Sequence, residues 1–202
     1  MSARIGDMTS SKKKIFILMG NPDSDSRTGH LADAYELGAL EAGHEVKRQN
    51  VGEMHFDPIL HKGYKVIQEL EPDLKTFQEN VRWADHLVVL YPNWWSTMPA
   101  LLKGLIDRAW LPGFAFRFHK TDVWWDGLLK GKSARIIILA NTHPWFAWLM
   151  FGEFTNELAR ATLAFSGIAP IFINVLTPSE KVSETKWKKW VQMVQEMGRQ
   201  AK

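Results

Sequence analysis

The chain has 202 residues, 46% of them hydrophobic, a formal charge of +3 at neutral pH and no cysteine. That is enough apolar matter for one well-filled α/β domain, and no polar or Pro/Gly-rich linker divides it. Without cysteine there is no thiolate nucleophile, no Cys-bound zinc, no iron–sulfur cluster and no disulfide, while the small positive charge favours anionic ligands weakly and nucleic acid no more.

Residues 1–13 carry Ser, Arg, Gly and Lys without an apolar core, which reads as a disordered leader ahead of a single domain, 14–202, and not as a signal peptide. No later apolar run is long enough for a bilayer span, so a cytoplasmic protein without membrane insertion is expected. The run 14–20 predicts a first strand, apolar at every position from 15 to 19. Helical spacing follows over 30–42 through Leu31, Ala34, Tyr35 and Leu37, with Gly43 where a helix C-cap would stand. The second strand, 45–51, contains Lys47, Arg48 and Gln49 and is polar enough to be a sheet edge. Helix 73–83, with Pro72 ahead of it, leads into strand 86–91, and helix 99–110 begins with Pro99 in its first turn. A long connection rich in aromatics, 111–132, separates that helix from strand 134–140. Helix 153–165, closed by Gly167, strand 170–176 and helix 183–198 complete the chain. Strands alternating with helices predict a doubly wound, five-stranded parallel sheet of order 2-1-3-4-5, with helices on both faces and a ligand site where strand order reverses between the first and third strands.

Three loops at that point carry chemistry. The first strand runs into Gly20-Asn21-Pro22-Asp23-Ser24-Asp25-Ser26-Arg27-Thr28-Gly29, small and hydroxyl-rich, opening a helix. Backbone N–H groups at a helix start suit a phosphate, and Arg27 adds charge; an N-capping turn with Ser26 or Thr28 as cap explains the same residues equally well. The third strand ends in Tyr91-Pro92-Asn93-Trp94-Trp95. Tryptophan stacks on planar ligands, and although core or interface filling accounts for any one of the ten in the chain, it does not explain a pair directly opposite the first loop. After the fourth strand stand Asn141, Thr142 and His143. Gly131-Lys132-Ser133 reads as a turn and not a phosphate loop, because the required leading glycine would fall at Asp126. The seven histidines lack metal-ligand spacing, so no metal site is expected. A phospho-receiver would need a carboxylate after the third strand, and a phosphatase of this architecture a cysteine.

Pro99-Ala100-Leu101-Leu102-Lys103-Gly104, Asp107-Arg108 and Gly113-Phe114-Ala115-Phe116 resemble, residue by residue, the signature of the NAD(P)H:quinone oxidoreductase family, also called the DT-diaphorase-like or flavodoxin-2 family. The likeness runs from residue 15 to about residue 175. It implies a flavodoxin-like fold and a flavin. FMN is expected because nothing obvious in the sequence builds an adenine pocket, with FAD as the alternative. NADPH or NADH would give a hydride through flavin N5 to a quinone or similar planar acceptor, in a ping-pong cycle delivering two electrons. By the same resemblance Ser26, Arg27 and Thr28 would hold the flavin phosphate, Asn21 stands where many members carry His, and Pro92, Asn93, Trp94 and Trp95 would contact the ring. Asn141, Thr142 and His143 fall where many members carry Thr-Thr-Gly-Gly; the glycine pair is missing. The Tyr and His that assist proton transfer in the vertebrate enzymes have no clear match. His143 is the candidate proton donor, although a loop histidine before proline is more often simply solvent-facing. The aromatic connection 111–132 and residues 145–151 would suit a homodimer whose interface completes the acceptor pocket. The rival function is a flavin-binding regulatory subunit of a membrane transporter; a plain electron-transfer flavodoxin would be strongly acidic, against a pI near 9.1.

Overall fold

Alternation along each strand decides the architecture. In the computed structural model, which describes residues 11–152 and 155–202, β1 (Lys14–Met19) sends Phe16 and Leu18 to one side of the sheet and Ile15, Ile17 and Met19 to the other. With every second residue buried on each face, β1 is stable only if helices cover both sides. They do: α2 (Pro72–Trp83) and α3 (Ala100–Ala109) pack Leu74, Phe77, Val81, Leu102 and Leu105 onto the first face, while α1 (Arg27–Glu41) and α6 (Glu184–Gln200) pack Leu31, Tyr35, Trp190 and Val194 onto the second. The main sheet also contains β2 (Glu45–Asn50), β3 (His86–Pro92), β6 (Ser133–Leu139) and β7 (Ile171–Leu176), in the order β2-β1-β3-β6-β7, every neighbouring pair parallel. This is the expected 2-1-3-4-5 order, because β4 (Phe116–Phe118) and β5 (Trp125–Gly127) form a separate antiparallel hairpin. The polar second strand is an edge, with Arg48 paired to Asp33 at 2.6 Å and Glu36 at 3.1 Å.

The structure differs from the sequence expectation in several places, each for a local reason. The aromatic connection 111–132 is not wholly irregular, since Phe116 and Phe118 pair across to Gly127 and Trp125. Pro99 is the N-cap of α3 and lies just before its first turn. An additional helix, α4 (Pro144–Phe151), precedes the expected fourth helix. Its residues are apolar on all sides, so no period of 3.6 was there to read, and only Pro144 at the first turn marked it. Of the expected helix 153–165, Glu153 and Phe154 lie outside the described residues; α5 (Asn156–Leu158) continues as a π-helical segment, Ala159–Ala164, and Gly167 follows at φ +91°. The expected leader lies outside the described residues as far as Ser10. Lys13 donates from its backbone N to His44 Nδ1 at 3.1 Å and from Nζ to Ala201 O at 2.7 Å. Among the described residues no helix is long and apolar enough to cross a membrane.

The segment that carried the family resemblance has a structural task. A Cβ on Gly104 would lie 2.5 Å from Pro58 Cβ, so only glycine lets α3 approach the chain after β2 this closely. One turn later the fully buried Arg108 side chain donates to Asp57 O, to Glu69 O at 2.8 Å and to Glu71 Oε2 at 2.8 Å. Burial alone would raise the Glu71 carboxyl, but the Arg108 hydrogen bonds and charge outweigh it and hold the carboxyl below its usual range. One arginine thereby closes the long stretch between β2 and α2 against the domain.

Candidate functional site

The first loop is shaped by its own side chains. Asn21 Oδ1 accepts from Asp23 N at 3.1 Å, and Asp23 Oδ1 accepts from Asp25 N at 3.0 Å, two successive Asx turns. Ser26 is the N-cap of α1, its Oγ accepting from Gly29 N at 3.2 Å. The loop curls so tightly over the helix start that a Cβ on Gly29 would sit 1.9 Å from Ser24 O. Thr28 is buried beneath it. Arg27 reaches across to the loop after β7, donating to Ser179 O, with its guanidinium 5.7 Å from the Trp187 ring. Capping and ligand binding are therefore not alternatives for the segment as a whole: the Ser26 hydroxyl caps the helix, and the neighbouring residues face a cleft.

The second loop turns sharply. Trp94 N donates to Thr97 O at 2.9 Å and Thr97 N to Trp94 O at 3.1 Å, with Trp95 at φ +52° and Ser96 at φ +62° between them. Two left-handed residues in a two-residue loop normally call for Asn-Gly, and each non-glycine residue there costs about 1–2 kcal/mol. The strained turn leaves the Trp95 side chain fully exposed. Asn93 is held from behind by its N–H to Leu139 O at 2.8 Å, and its Oδ1 is buried without a hydrogen-bond partner. Tyr91, one turn of pleat earlier, is buried; burial and then Glu157 push its hydroxyl well above the usual range, so it stays protonated.

Loops after β6 and β7 close the site. Asn141 Oδ1 accepts from Ser179 Oγ and from Glu180 N, both at 2.9 Å, which ties the two loops together. His143 is the N-cap residue of α4 without a capping hydrogen bond, and its exposed ring lies 6.2 Å from that of Trp145.

Two adjoining clefts result. One, of 260 Å³, is lined by Asn21, Arg27, Thr28, Pro92, Leu139, Ser179 and Glu180. The other, of 400 Å³, is lined by Asn93, Trp95, Ser96, Asn141, Thr142 and Ala147. Of the residues expected from the sequence, Asn21, Arg27, Thr28, Pro92, Asn93, Trp95, Asn141 and Thr142 thus come together in the walls, whereas Ser26, Trp94 and His143 do not line either cleft. Ser96, Leu139, Ala147, Ser179 and Glu180 were missed. The Thr/Ser-containing stretch after β7 was the available signal for two of them, since it follows a strand that ends at the same side of the sheet.

Residues 13–200 match the Flavodoxin_2 family, described as a flavodoxin-like fold. The chain belongs to that family. The resemblance to the NAD(P)H:quinone oxidoreductases recurs among curated relatives over part of the chain. An NAD(P)H oxidoreductase of Escherichia coli, itself uncharacterised, is 31% identical over 134 residues, covering 62% of this chain and 68% of the relative. Among solved structures, the NAD(P)H:quinone oxidoreductase of Methanothermobacter marburgensis superposes with a TM-score of 0.82 at 21% identity, covering 95% of this chain and all of that one. An FMN-dependent NADH-azoreductase of Bacillus anthracis, in complex with FMN, gives 0.69 at 18% identity over 92% and 97%. At such identities the two structures speak for the fold alone.

The side chains of this flavodoxin-2 protein fit a flavin. A buried acceptor without a partner is costly unless a donor meets it, and an isoalloxazine edge presents an N–H that Asn93 Oδ1 can accept. The 260 Å³ cleft sits at the start of α1, whose free N–H groups and dipole favour an anion. Glu180 lies in the same wall, so the anion-binding part of that cleft is confined to the side of Arg27 and Thr28.

Proposed function

We propose that this protein is a flavin-dependent NAD(P)H oxidoreductase delivering two electrons to a quinone or similar planar acceptor. The observation that carries the reading is the convergence of Asn93, whose buried Oδ1 has no hydrogen-bond partner, with Trp95, Asn141 and Thr142 on one cleft beside a second cleft at the start of α1. Bound flavin supplies hydride acceptance and donation at N5. Asn21, Arg27 and Thr28 hold its phosphate, which makes FMN the expected form and FAD the alternative. Asn93 and the backbone of the Trp94–Thr97 turn orient the ring, and Trp95 shields it from water. NADPH or NADH binds first and leaves oxidised; the acceptor then takes its place in the same cleft. The balance is one hydride from the nucleotide and one proton from solvent, reducing a quinone to its hydroquinone.

A homodimer belongs to the same reading. α4 leaves Trp145, Phe146, Trp148, Leu149 and Met150 exposed, and a separate groove of 550 Å³ is lined by Tyr64, Met98, Trp110, Phe116, Phe118 and Phe165 among others. Large exposed apolar side chains in these two places ask for a protein partner, and a second copy brings the same aromatic surface to them. The test is direct. Purified protein titrated with FMN and with FAD is expected to take up one of them with a visible absorption band that bleaches on adding NADPH or NADH. A colourless protein that binds neither flavin overturns the proposal.

A further inference from the structure

The first loop meets two glycines, and only one of them belongs to α1. Gly52 lies in the short turn Val51–Glu53 that follows β2, far from the loop in sequence. A Cβ there would stand 1.8 Å from Pro22 O and 2.6 Å from Pro22 C, so only glycine permits the approach. The φ of Gly52 lies outside the left-handed region, and the requirement is therefore for room alone. The turn is held from its own side: Arg48 bonds Asn50 Oδ1 at 2.8 Å and Asp33 of α1 at 2.6 Å, and Asn50 Nδ2 donates to Glu53 Oε1 at 2.9 Å.

These contacts sort the polar groups of the loop. Pro22 O faces Gly52 and Ser24 O faces Gly29, while Asp23 N and Asp25 N are taken up by the two Asx turns. Among the described residues, the N–H groups of Arg27 and Thr28, the first two of α1, have no hydrogen-bond partner. Arg27 and Thr28 line the 260 Å³ cleft together with Asn21, the residue next to Pro22.

From this geometry we infer that Gly52 is a positioning residue for the flavin phosphate: by letting Pro22 O turn onto the β2 turn, it sets the first loop so that N–H groups, not carbonyl oxygens, face the anion. The inference rests on the function proposed above and deepens it, because it commits the cleft to a phosphorylated flavin over riboflavin. An N–H at a helix start attracts a phosphate, whereas a carbonyl oxygen turned toward it repels. Gly52 itself does not line the cleft and acts only through Pro22. Both residues are exposed and outside the two core clusters, so a side chain at 52 displaces the loop and leaves the core closed.

The experiment titrates the full chain, as wild type, Gly52→Ala and Gly52→Val, with FMN and with riboflavin, which differ only in the phosphate. Dissociation constants come from quenching of flavin fluorescence, and melting temperatures are taken without flavin. If FAD is the form taken up, it replaces FMN in the same comparison. The wild type is expected to bind FMN at least about a hundredfold more tightly than riboflavin, as charge-assisted bonds to a phosphate require. That ratio should fall about tenfold in Gly52→Ala and further in Gly52→Val, through FMN alone, with riboflavin affinity and melting temperature held. An unchanged ratio, or equal losses for both flavins, overturns the inference and leaves the proposed function standing. Should the variants fail to fold, hydrogen exchange of the wild type decides: FMN at saturation should slow residues 22–28 and 51–54 more than riboflavin does, and equal protection overturns the inference. A wild type that takes no flavin removes the proposed function itself, which the absorption titration reveals before any ratio is measured.

Discussion

At the amino ends of the strands, polar side chains are committed to the fold. His44 accepts from Lys13 N and bonds Arg199 O at 3.1 Å, His86 bonds Ser133 Oγ at 2.8 Å, and Arg135 donates to Asn174 Oδ1 and Lys202 O. At the carboxyl ends, Asn21, Arg27, Asn93 and Asn141 shape loops around open clefts. Both ends contain buried polar atoms without partners: His86 Nε2 and Tyr35 OH at one, Asn93 Oδ1 at the other. The difference is access. His86 and Tyr35 are completely buried, whereas Asn93 borders a cleft of 400 Å³. An unsatisfied polar atom therefore points to a ligand only where a cleft meets it; elsewhere its main consequence is a cost to stability that varies with pH.

The strongest way to break the comparison is at Gly29. Its Cβ position lies 1.9 Å from Ser24 O, so Gly29→Val must push the first loop away from α1. Flavin affinity should fall by about a hundredfold, the upper range for overpacking a tight contact, in a titration followed by absorption or flavin fluorescence. An unchanged dissociation constant would show that the first loop does not hold the phosphate.

A smaller effect, of opposite sign in two measurements, is expected for Asn93→Leu. Removing the unpartnered acceptor should leave the flavin-free protein as stable as the wild type or more so, by about 1 kcal/mol, while flavin binds about tenfold more weakly for the lost hydrogen bond. If melting temperature and flavin affinity fall together, Asn93 is a structural residue and the contrast between the two sheet ends disappears.

The smallest effect lies at the amino end. Burial, reinforced by Lys13, Arg135 and His44, pushes His86 down to about 3 from an ordinary value near 6.5. The folded state keeps this histidine neutral while the unfolded chain protonates, so its contribution is fully present above about pH 6.5 and is lost as pH falls toward 3. In His86→Phe that part of the acid slope should vanish from denaturation curves measured between pH 7 and 4, with flavin affinity at pH 8 unaltered. A variant with the wild-type slope would mean that other groups govern acid stability.

Much of the candidate site was legible residue by residue. Asn21, Arg27, Thr28, Pro92, Asn93, Trp95, Asn141 and Thr142 were all marked by their place just after strands and by the family resemblance, and all line the clefts. Ser26 shows the limit of that reading, because a hydroxyl at a helix start can cap or bind and the sequence does not distinguish the two. Ala147 shows another: alanine carries no chemical signal, and only the fold brings it to the edge of the cleft. The family signature was legible as a pattern but not as a role, since Gly104 and Arg108 act on Pro58, Asp57, Glu69 and Glu71, about 40 to 50 residues away along the chain.

Strand and helix identity, the polar edge at β2 and the order of the sheet follow from local periodicity, turn residues and the handedness of parallel crossovers, all of which act over short stretches of chain. The clefts, the left-handed Trp95–Ser96 turn, the binding of the β7 loop to Asn141 and the difference between a sealed histidine and an accessible asparagine were settled only by tertiary structure. Each depends on which distant backbones meet and how closely, and hydrogen bonding and steric exclusion act across space with no trace in the spacing of residues along the chain.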